Sequence, residues 1–343
     1  MKINPKIVFF GAGAIGGSVG AWVARQYENI FFLDRGQIQE ALKARGITVY
    51  PGDAPAQRET VVVKVLGGLE EAVDADVLVL AVKNYSLGLV AEEVHKRLGD
   101  RPVIISMANG VENQRVLPRY FSKVIYCVIS YNAWMDEPGV IGFQKKGPLI
   151  FGTLANELQE EMKELAGIFN RGVETIVTDH IQDAVHCKLV INLANSLTTL
   201  VGHQVRPISD LGLYQKIMTG LLLEGVEVIR AAGYRECRLG GIPSWRTIWM
   251  GARLPRFISG PLFRRNLAKM NLSSMAQDII QRKGTETELE SINGRIVELA
   301  DKFKVKAPLN RAIYQICKQE FARPGFQPLD VKELWARILK HSA

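Results

Sequence analysis

Cysteine is scarce: Cys127, Cys187, Cys237 and Cys317 are the only four, they lie far apart, and none belongs to a CxxC pair. That spacing signals neither a zinc site nor a disulfide framework, so buried, reduced thiols of a cytoplasmic enzyme are expected. Histidine is scarce as well. His95, His180, His186, His203 and His341 share no ligand spacing, and no metal site is expected. No uninterrupted apolar run reaches the roughly 18 residues that a membrane-spanning helix needs, so none is expected. Lys2 and Lys6 ahead of an apolar stretch resemble the start of a secretion signal. Gly11, Gly13, Gly16, Gly17 and Gly20 break that stretch, and secretion is not expected. Internal repeats, low-complexity tracts and a flexible linker are also missing.

What is present is an ordinary globular composition, 343 residues with 47% hydrophobic and 23% charged. At about 150 residues per domain this length suggests two domains. Strand-like and helix-like segments alternate through the first half, as in βαβ units. Strands are expected at Lys6–Phe10, Asn29–Asp34, Val61–Leu66, Asp76–Val82, Pro102–Ser106 and Lys123–Ser130, with further ones near Val140–Phe143 and Leu149–Phe151. From about Asp179 the period becomes helical, over Asp179–Val201, Ser209–Ala231, Ser273–Gln281, Glu288–Phe303 and Asn310–Phe321. The expectation is an α/β Rossmann-type dinucleotide-binding domain over 1–178 and an all-α domain over 179–343.

Gly11-Ala12-Gly13-Ala14-Ile15-Gly16 is a G-x-G-x-x-G run. Its first glycine serves a tight turn, its second lets backbone approach a pyrophosphate, and its third lets helix pack on strand. A strand precedes it, a helix follows, and Asp34 ends the second strand about 20 residues on. Four of the apolar runs end in polar groups, at Gly11, at Asp34-Arg35, at Lys83-Asn84 and at Asn109. In doubly wound sheets ligands bind at this carboxyl edge. A carboxylate at the second strand suits the ribose of NAD, whereas a nearby arginine suits the 2′-phosphate of NADP. Asp34 and Arg35 offer both. NADP is expected, and Asp34 keeps NAD open.

In the second half, Lys188, Asn192 and Asn195 stand at i, i+4 and i+7 in an otherwise apolar helix. They share one face, and burying them unpaired is costly. A polar contact between helices or a wet cleft satisfies them. A lysine there is also a candidate general acid for an alkoxide that develops on hydride transfer.

These features resemble the ketopantoate reductase family. The resemblance rests on the glycine loop, Ala81-Val82-Lys83, Asn109-Gly110-Val111, Ala133 before Pro138-Gly139, Lys188-x-x-x-Asn192, Asn195-Ser-Leu-Thr198, Ser274-Met-Ala-Gln-Asp278 and Thr287-Glu288-Leu-Glu-Ser-Ile-Asn-Gly294. It implies NAD(P)H-dependent reduction of a 2-oxo acid, most of all 2-dehydropantoate to (R)-pantoate on the way to coenzyme A. It also implies a helical domain like the C-terminal one of 6-phosphogluconate dehydrogenase, and a homodimer. It assigns Lys188 as general acid, with Glu288 facing it and the cofactor. Asn192, Asn195 and Ser274 go to the substrate, Asn109 to substrate and cofactor, and Lys83 and Ala133 to the cofactor.

Three departures qualify the resemblance. Asn195 stands at i+7 where i+8 is usual, which leaves Ser196 as a substitute. The Ser274-to-Glu288 spacing is two residues wide, which leaves Glu286 in Thr285-Glu286 as a rival. The third is a basic insertion at about 235–270. Between Arg235 and Lys269 it carries Arg235, Arg238, Arg246, Arg253, Arg256, Arg264, Arg265 and Lys269 against Glu236 alone, with Trp245, Trp249, Phe257 and Phe263 among them. It reads as a lid over a larger or more acidic substrate, as a surface for anionic membrane or nucleic acid, or as a solvated helical excursion with buried aromatics; of the two surface partners, nucleic acid is not expected and membrane stays open. Two other functions stay open: a same-fold reductase of another 2-oxo acid or opine-type dehydrogenase, and a non-catalytic NAD(P)-binding sensor.

Overall fold

The computed structural model describes residues 2–281, 284, 286–323 and 325–342. The chain forms two compact units, Met1–Ile181 and Gln182–Ala343. The expected join at 178/179 falls just ahead of this division.

In the first unit the elements run β1 (Ile7–Phe10), α1 (Ala14–Ala24), β2 (Ile30–Leu33), α2 (Gly36–Arg45), β3 (Ile47–Pro51), β4 (Glu59–Val61), β5 (Lys64–Val65), β6 (Val77–Leu80), α3 (Asn84–Leu98), β7 (Val103–Ser106), α4 (Glu112–Val116), β8 (Val124–Ile129), β9 (Ala133–Glu137), β10 (Val140–Phe143), β11 (Leu149–Gly152), α5 (Gln159–Phe169) and β12 (Thr175–Val177). The main sheet has the order β12-β11-β8-β7-β6-β1-β2-β5. All neighbours in it are parallel except β11 against β8. Every residue of β6, β7 and β8 is buried, as expected where helices cover both faces of a parallel sheet. The strand order reverses about β1: β2 lies on one side and β6 on the other. That reversal is the switch point at which such sheets bind ligands.

The Val61–Leu66 run differs from expectation. It is two short strands in different sheets, because Val62 turns out into solvent at 91% exposure. Val61 closes β4, which joins a second sheet of order β4-β3-β10-β9, and β5 edges the main sheet. Helix α1 lies flush between the two sheets because it carries glycine where each approaches. A Cβ at Gly17 would lie 2.4 Å from Ile141 of β10, and one at Gly20 would lie 2.4 Å from the Phe32 ring of β2.

The second unit is helical: α6 (Ile181–Val201), α7 (Leu211–Ala231), α8 (Trp245–Arg253), α9 (Arg256–Leu267), α10 (Ser274–Ala276), α11 (Arg295–Lys302), α12 (Pro308–Phe321) and α13 (Val331–Ser342). By length and a mean hydropathy of 1.2, α6 could cross a membrane, but 83% of its apolar window is buried within the protein. This is the signature of a core helix. Asp210 caps α7 by accepting a 2.9 Å bond from the Leu213 N–H. Glu224 of α7 holds the start of α12, accepting from the N–H groups of Leu309 and Asn310. Burial pushes the Glu224 carboxyl above its ordinary value in spite of these bonds.

The basic insertion folds as α8 and α9, and its aromatics are not the buried set that a plain helical excursion would have. Phe263 packs edge-on to Tyr214, but Trp249 is 51% and Phe257 80% exposed. The reason is a short inner face. In α8 only Ile248 is buried, and in α9 only Ser259, Gly260 and Leu267 are.

Candidate functional site

In the first unit, the predicted loop residues sit at the β1–α1 turn. Gly11 adopts φ +102°, and a Cβ there would lie 2.8 Å from the Ala81 carbonyl oxygen. At Gly16 a Cβ would lie 2.0 Å from the Gly11 oxygen and 2.7 Å from the Ala81 side chain. Both positions exclude a side chain because the protein fills the space. Gly13 is the opposite case: a Cβ there meets nothing within 4 Å. It is the N-cap of α1, with no side chain capping the helix and no acid in its first turn. Open space therefore faces N–H groups at the positive end of a helix, which suits an anion.

Neighbouring strand ends bring the other predicted groups to the same edge. β7, β6, β1 and β2 are adjacent and parallel, so Asn109, Lys83, Gly11 and Asp34 follow in that order along it. The Asn84 amide donates to the Asn109 carbonyl at 2.6 Å and joins two of these loops; position 84 was expected only as the neighbour of Lys83. Asp34, expected as a ribose ligand, has partners within the loop itself. Its Oδ2 accepts from the Ala12 N–H at 2.6 Å and its Oδ1 from the Arg35 N–H at 2.8 Å, so the carboxylate fastens the glycine loop to the end of β2. Arg35 is exposed at the start of α2. Ala133 opens β9 in the second sheet and packs against the core of this unit.

In the second unit, the face of α6 opens at Lys188, Ile191 and Asn195, all half-buried, with Asn192 buried beside them. The structure separates Asn195 from its substitute. Ser196 is fully buried, donates to the Leu193 carbonyl and accepts from the Asn293 amide at 3.0 Å. It is a packing residue, and Asn195 is the one on the open face. One turn on, the hydroxyls of Thr198 and Thr199 each lie 3.3 Å from Ser273 Oγ. Ser273 caps α10 by accepting from the Ala276 N–H, and half-buried Ser274 follows it. Ser273 was not among the expected site residues, although a serine just before a helix is a readable cap signal.

Glu288 is buried whereas Glu286 is exposed; Thr285, the other half of the rival pair, lies outside the described residues. The stretch is irregular. A π-turn over Gln277–Gln281 continues α10, and another over Glu290–Gly294 leads into α11. Such bulges concentrate at functional sites.

His186 belongs to the packing of this unit. Its ring stacks on Tyr234 with centroids 3.5 Å apart, and Nδ1–H donates to the Gln182 carbonyl. Burial pushes its pKa down to about 4, so it is neutral at physiological pH. Cys187, next to Lys188, accepts from the Cys237 N–H and donates to the Arg235 carbonyl, which ties the start of the basic insertion to α6. Burial pushes its thiol up to about 11. All four cysteines are buried and unbridged. No cluster of metal-ligating side chains occurs among the described residues.

Comparison with known proteins agrees with both units. Residues 7–156 match the family model of ketopantoate reductase PanE/ApbA, and residues 180–320 match that of its C-terminal part. The 2-dehydropantoate 2-reductase of Pyrococcus horikoshii is 27% identical over 326 residues, covering 93% of this chain and 99% of its own. Among solved structures, a PanE/ApbA family ketopantoate reductase from Ralstonia eutropha JMP134 has a TM-score of 0.70 at 24% identity, over 92% of this chain and 100% of its own. D-mandelate dehydrogenase in a ternary structure with NADH and anilino(oxo)acetate has a TM-score of 0.73 at 17% identity, over 92% and 98%. These two likenesses show the shared fold.

Proposed function

Because the chain belongs to the ketopantoate reductase family, and is therefore an oxidoreductase, we propose that it reduces 2-dehydropantoate to (R)-pantoate with NADPH. The observation that carries this reading is the α6 face, where a buried apolar helix opens at Lys188 and Asn195 beside Asn192 and runs on to Ser273.

The open cradle at Gly13, bounded by two positions that admit no Cβ, fits a dinucleotide pyrophosphate. Gly11, Ala12, Gly13, Ala14, Ile15 and Gly16 would hold it, with Lys83, Asn109 and Ala133 around the rest; the family resemblance also assigns Glu288 to the cofactor. When bound, this cofactor supplies the hydride. Everything else falls to the side chains. Lys188 Nζ carries the proton that the new alkoxide needs, since an ordinary lysine is protonated at neutral pH. Asn192, Asn195 and Ser274 hydrogen-bond the hydroxyl and carboxylate of the substrate, which fixes the ketone relative to Nζ. Glu288, a buried carboxylate, positions the ammonium group.

NADPH is preferred because the Asp34 carboxylate already serves the backbone of the glycine loop, while the exposed Arg35 at the start of α2 is in no ion pair among the described residues. The D-mandelate dehydrogenase neighbour, with NADH and a 2-oxo acid derivative, supports the reaction class. A homodimer goes with the proposal; the ketopantoate reductase of Staphylococcus aureus is dimeric.

The test is oxidation of NADPH and NADH across a panel of 2-oxo acids, for wild type and Lys188→Ala. The variant should lose about 10²–10⁴-fold in kcat with unchanged cofactor affinity. Turnover within about threefold of wild type would remove Lys188 from the acid role. Tight cofactor binding without turnover of any 2-oxo acid would favour a sensor.

A further inference from the structure

The second unit contains an open pocket of about 440 Å³ lined by α7, α8, α9, the start of α12 and α13. None of the proposed substrate or catalytic residues lines it. Its floor is apolar or small, with Leu309 and the glycines at 220 and 251, and its rim carries Lys216, Arg253 and Arg256. Among the described residues no carboxylate lines it, and none of these three cations is in an ion pair. Asp210, near Arg256 across Gly212, uses Oδ1 to cap α7.

Lys216, Arg253 and Arg256 are all exposed on one lining, and like charges gathered there repel. Two features keep them there. Lys216 Nζ sits 4.5 Å above the Trp335 ring, a cation–π contact. Arg256 is the first residue of α9, a 12-residue helix with no side-chain cap and no acid in its first turn, whose positive end opens at the same rim. Arginine forks and helix N–H groups together match the oxygens of a phosphate better than a single carboxylate.

We propose that this pocket is a second anion site, separate from the glycine loop, that takes a phosphate monoester or diphosphate group carried on an apolar body. The group has two possible sources, a free organic phosphate or a lipid headgroup. The second draws on Phe257, Ile258 and Leu262, which stand 80%, 51% and 52% exposed on α9 next to the rim.

The experiment titrates inorganic pyrophosphate into the full chain with and without saturating NADPH, by calorimetry. Beside it, sedimentation is measured with vesicles of phosphatidylcholine alone or with added phosphatidic acid. Wild type, Arg253→Ala/Arg256→Ala and Gly13→Ala are compared. Pyrophosphate binding that survives NADPH and Gly13→Ala but weakens at least tenfold in the double-arginine variant supports the site and a soluble ligand. Retention on phosphatidic acid vesicles alone, lost in the double-arginine variant and in Phe257→Ser, supports the site and a lipid headgroup. Binding that NADPH displaces, binding indifferent to both arginines, or no binding in either arm overturns the proposal. The arginines are exposed, so the circular dichroism and melting temperature of the double variant should match wild type. None of these outcomes depends on turnover, so failure here is distinguishable from failure of the reductase reading.

Discussion

The second and third glycines of the G-x-G-x-x-G loop should separate binding from folding. At Gly13 the backbone has φ −64° and ψ −169°, which alanine adopts without strain. The added methyl meets no protein atom within 4 Å. Alanine is a poorer N-cap than glycine, by about 0.5–1 kcal/mol, and restricting the unfolded chain returns about 0.4–1 kcal/mol, so the two nearly cancel. Gly13→Ala should therefore melt within a degree or two of wild type. The methyl does occupy the space in front of the first N–H groups of α1. Holding a phosphate oxygen away from them removes one charge-assisted hydrogen bond, about 1.5–3 kcal/mol, or roughly 10- to 150-fold in Kd. Gly16→Ala acts the other way round. Its methyl would lie 2.0 Å from the Gly11 oxygen, well inside contact distance, so α1 must shift off β1 at a cost of about 1–3 kcal/mol. The paired assay is differential scanning fluorimetry with a fluorescence titration of NADPH. If Gly13→Ala bound NADPH as wild type does, the open space in front of this glycine would not be where the pyrophosphate lies, and the cofactor assignment would fail with it.

Three further outcomes are expected. Arg35→Ala should lower kcat/KM with NADPH at least tenfold and leave the NADH value within twofold; an equal loss with both would remove Arg35 from 2′-phosphate recognition. Burial depresses the His186 pKa from 6.5 to about 4, so the unfolded chain takes up this proton first as pH falls. The contribution is present above pH 6.5 and is lost as pH drops toward 4, by up to about 3 kcal/mol. Urea denaturation across that range should show a shallower acid slope for His186→Phe, which keeps a ring against Tyr234. Asn293→Ala removes the amide that donates to Ser196 inside the helical unit and should cost about 1–3 kcal/mol, read as a fall in the urea midpoint; an unchanged midpoint would mean the pair contributes nothing net.

The sheet was readable wherever strands are buried on both faces, because β1, β6, β7 and β8 are continuous apolar runs. Of the second sheet only β10, a mostly buried run, was readable; β9 is half-exposed and β4 begins with the exposed pair Glu59-Thr60. The candidate residues of the site were legible through spacing, as at Lys188, Asn192 and Asn195. What spacing could not decide was Asn195 against Ser196, one residue and about 100° of helix apart; the partner helix bearing Asn293 decides that. The two π-turns were equally hidden, since each shifts the helical register without a proline or glycine signal at its start.

The bond from Asp34 to the Ala12 N–H has an engineering corollary. Attempts to change coenzyme choice commonly replace the acidic residue after the second strand and treat it as a detachable selectivity switch. Here that residue is also a fastener of the turn proposed to receive the diphosphate, so Asp34→Ala should blunt affinity for either coenzyme before it alters the ratio between them. Selectivity in this chain is better adjusted from its neighbour at 35.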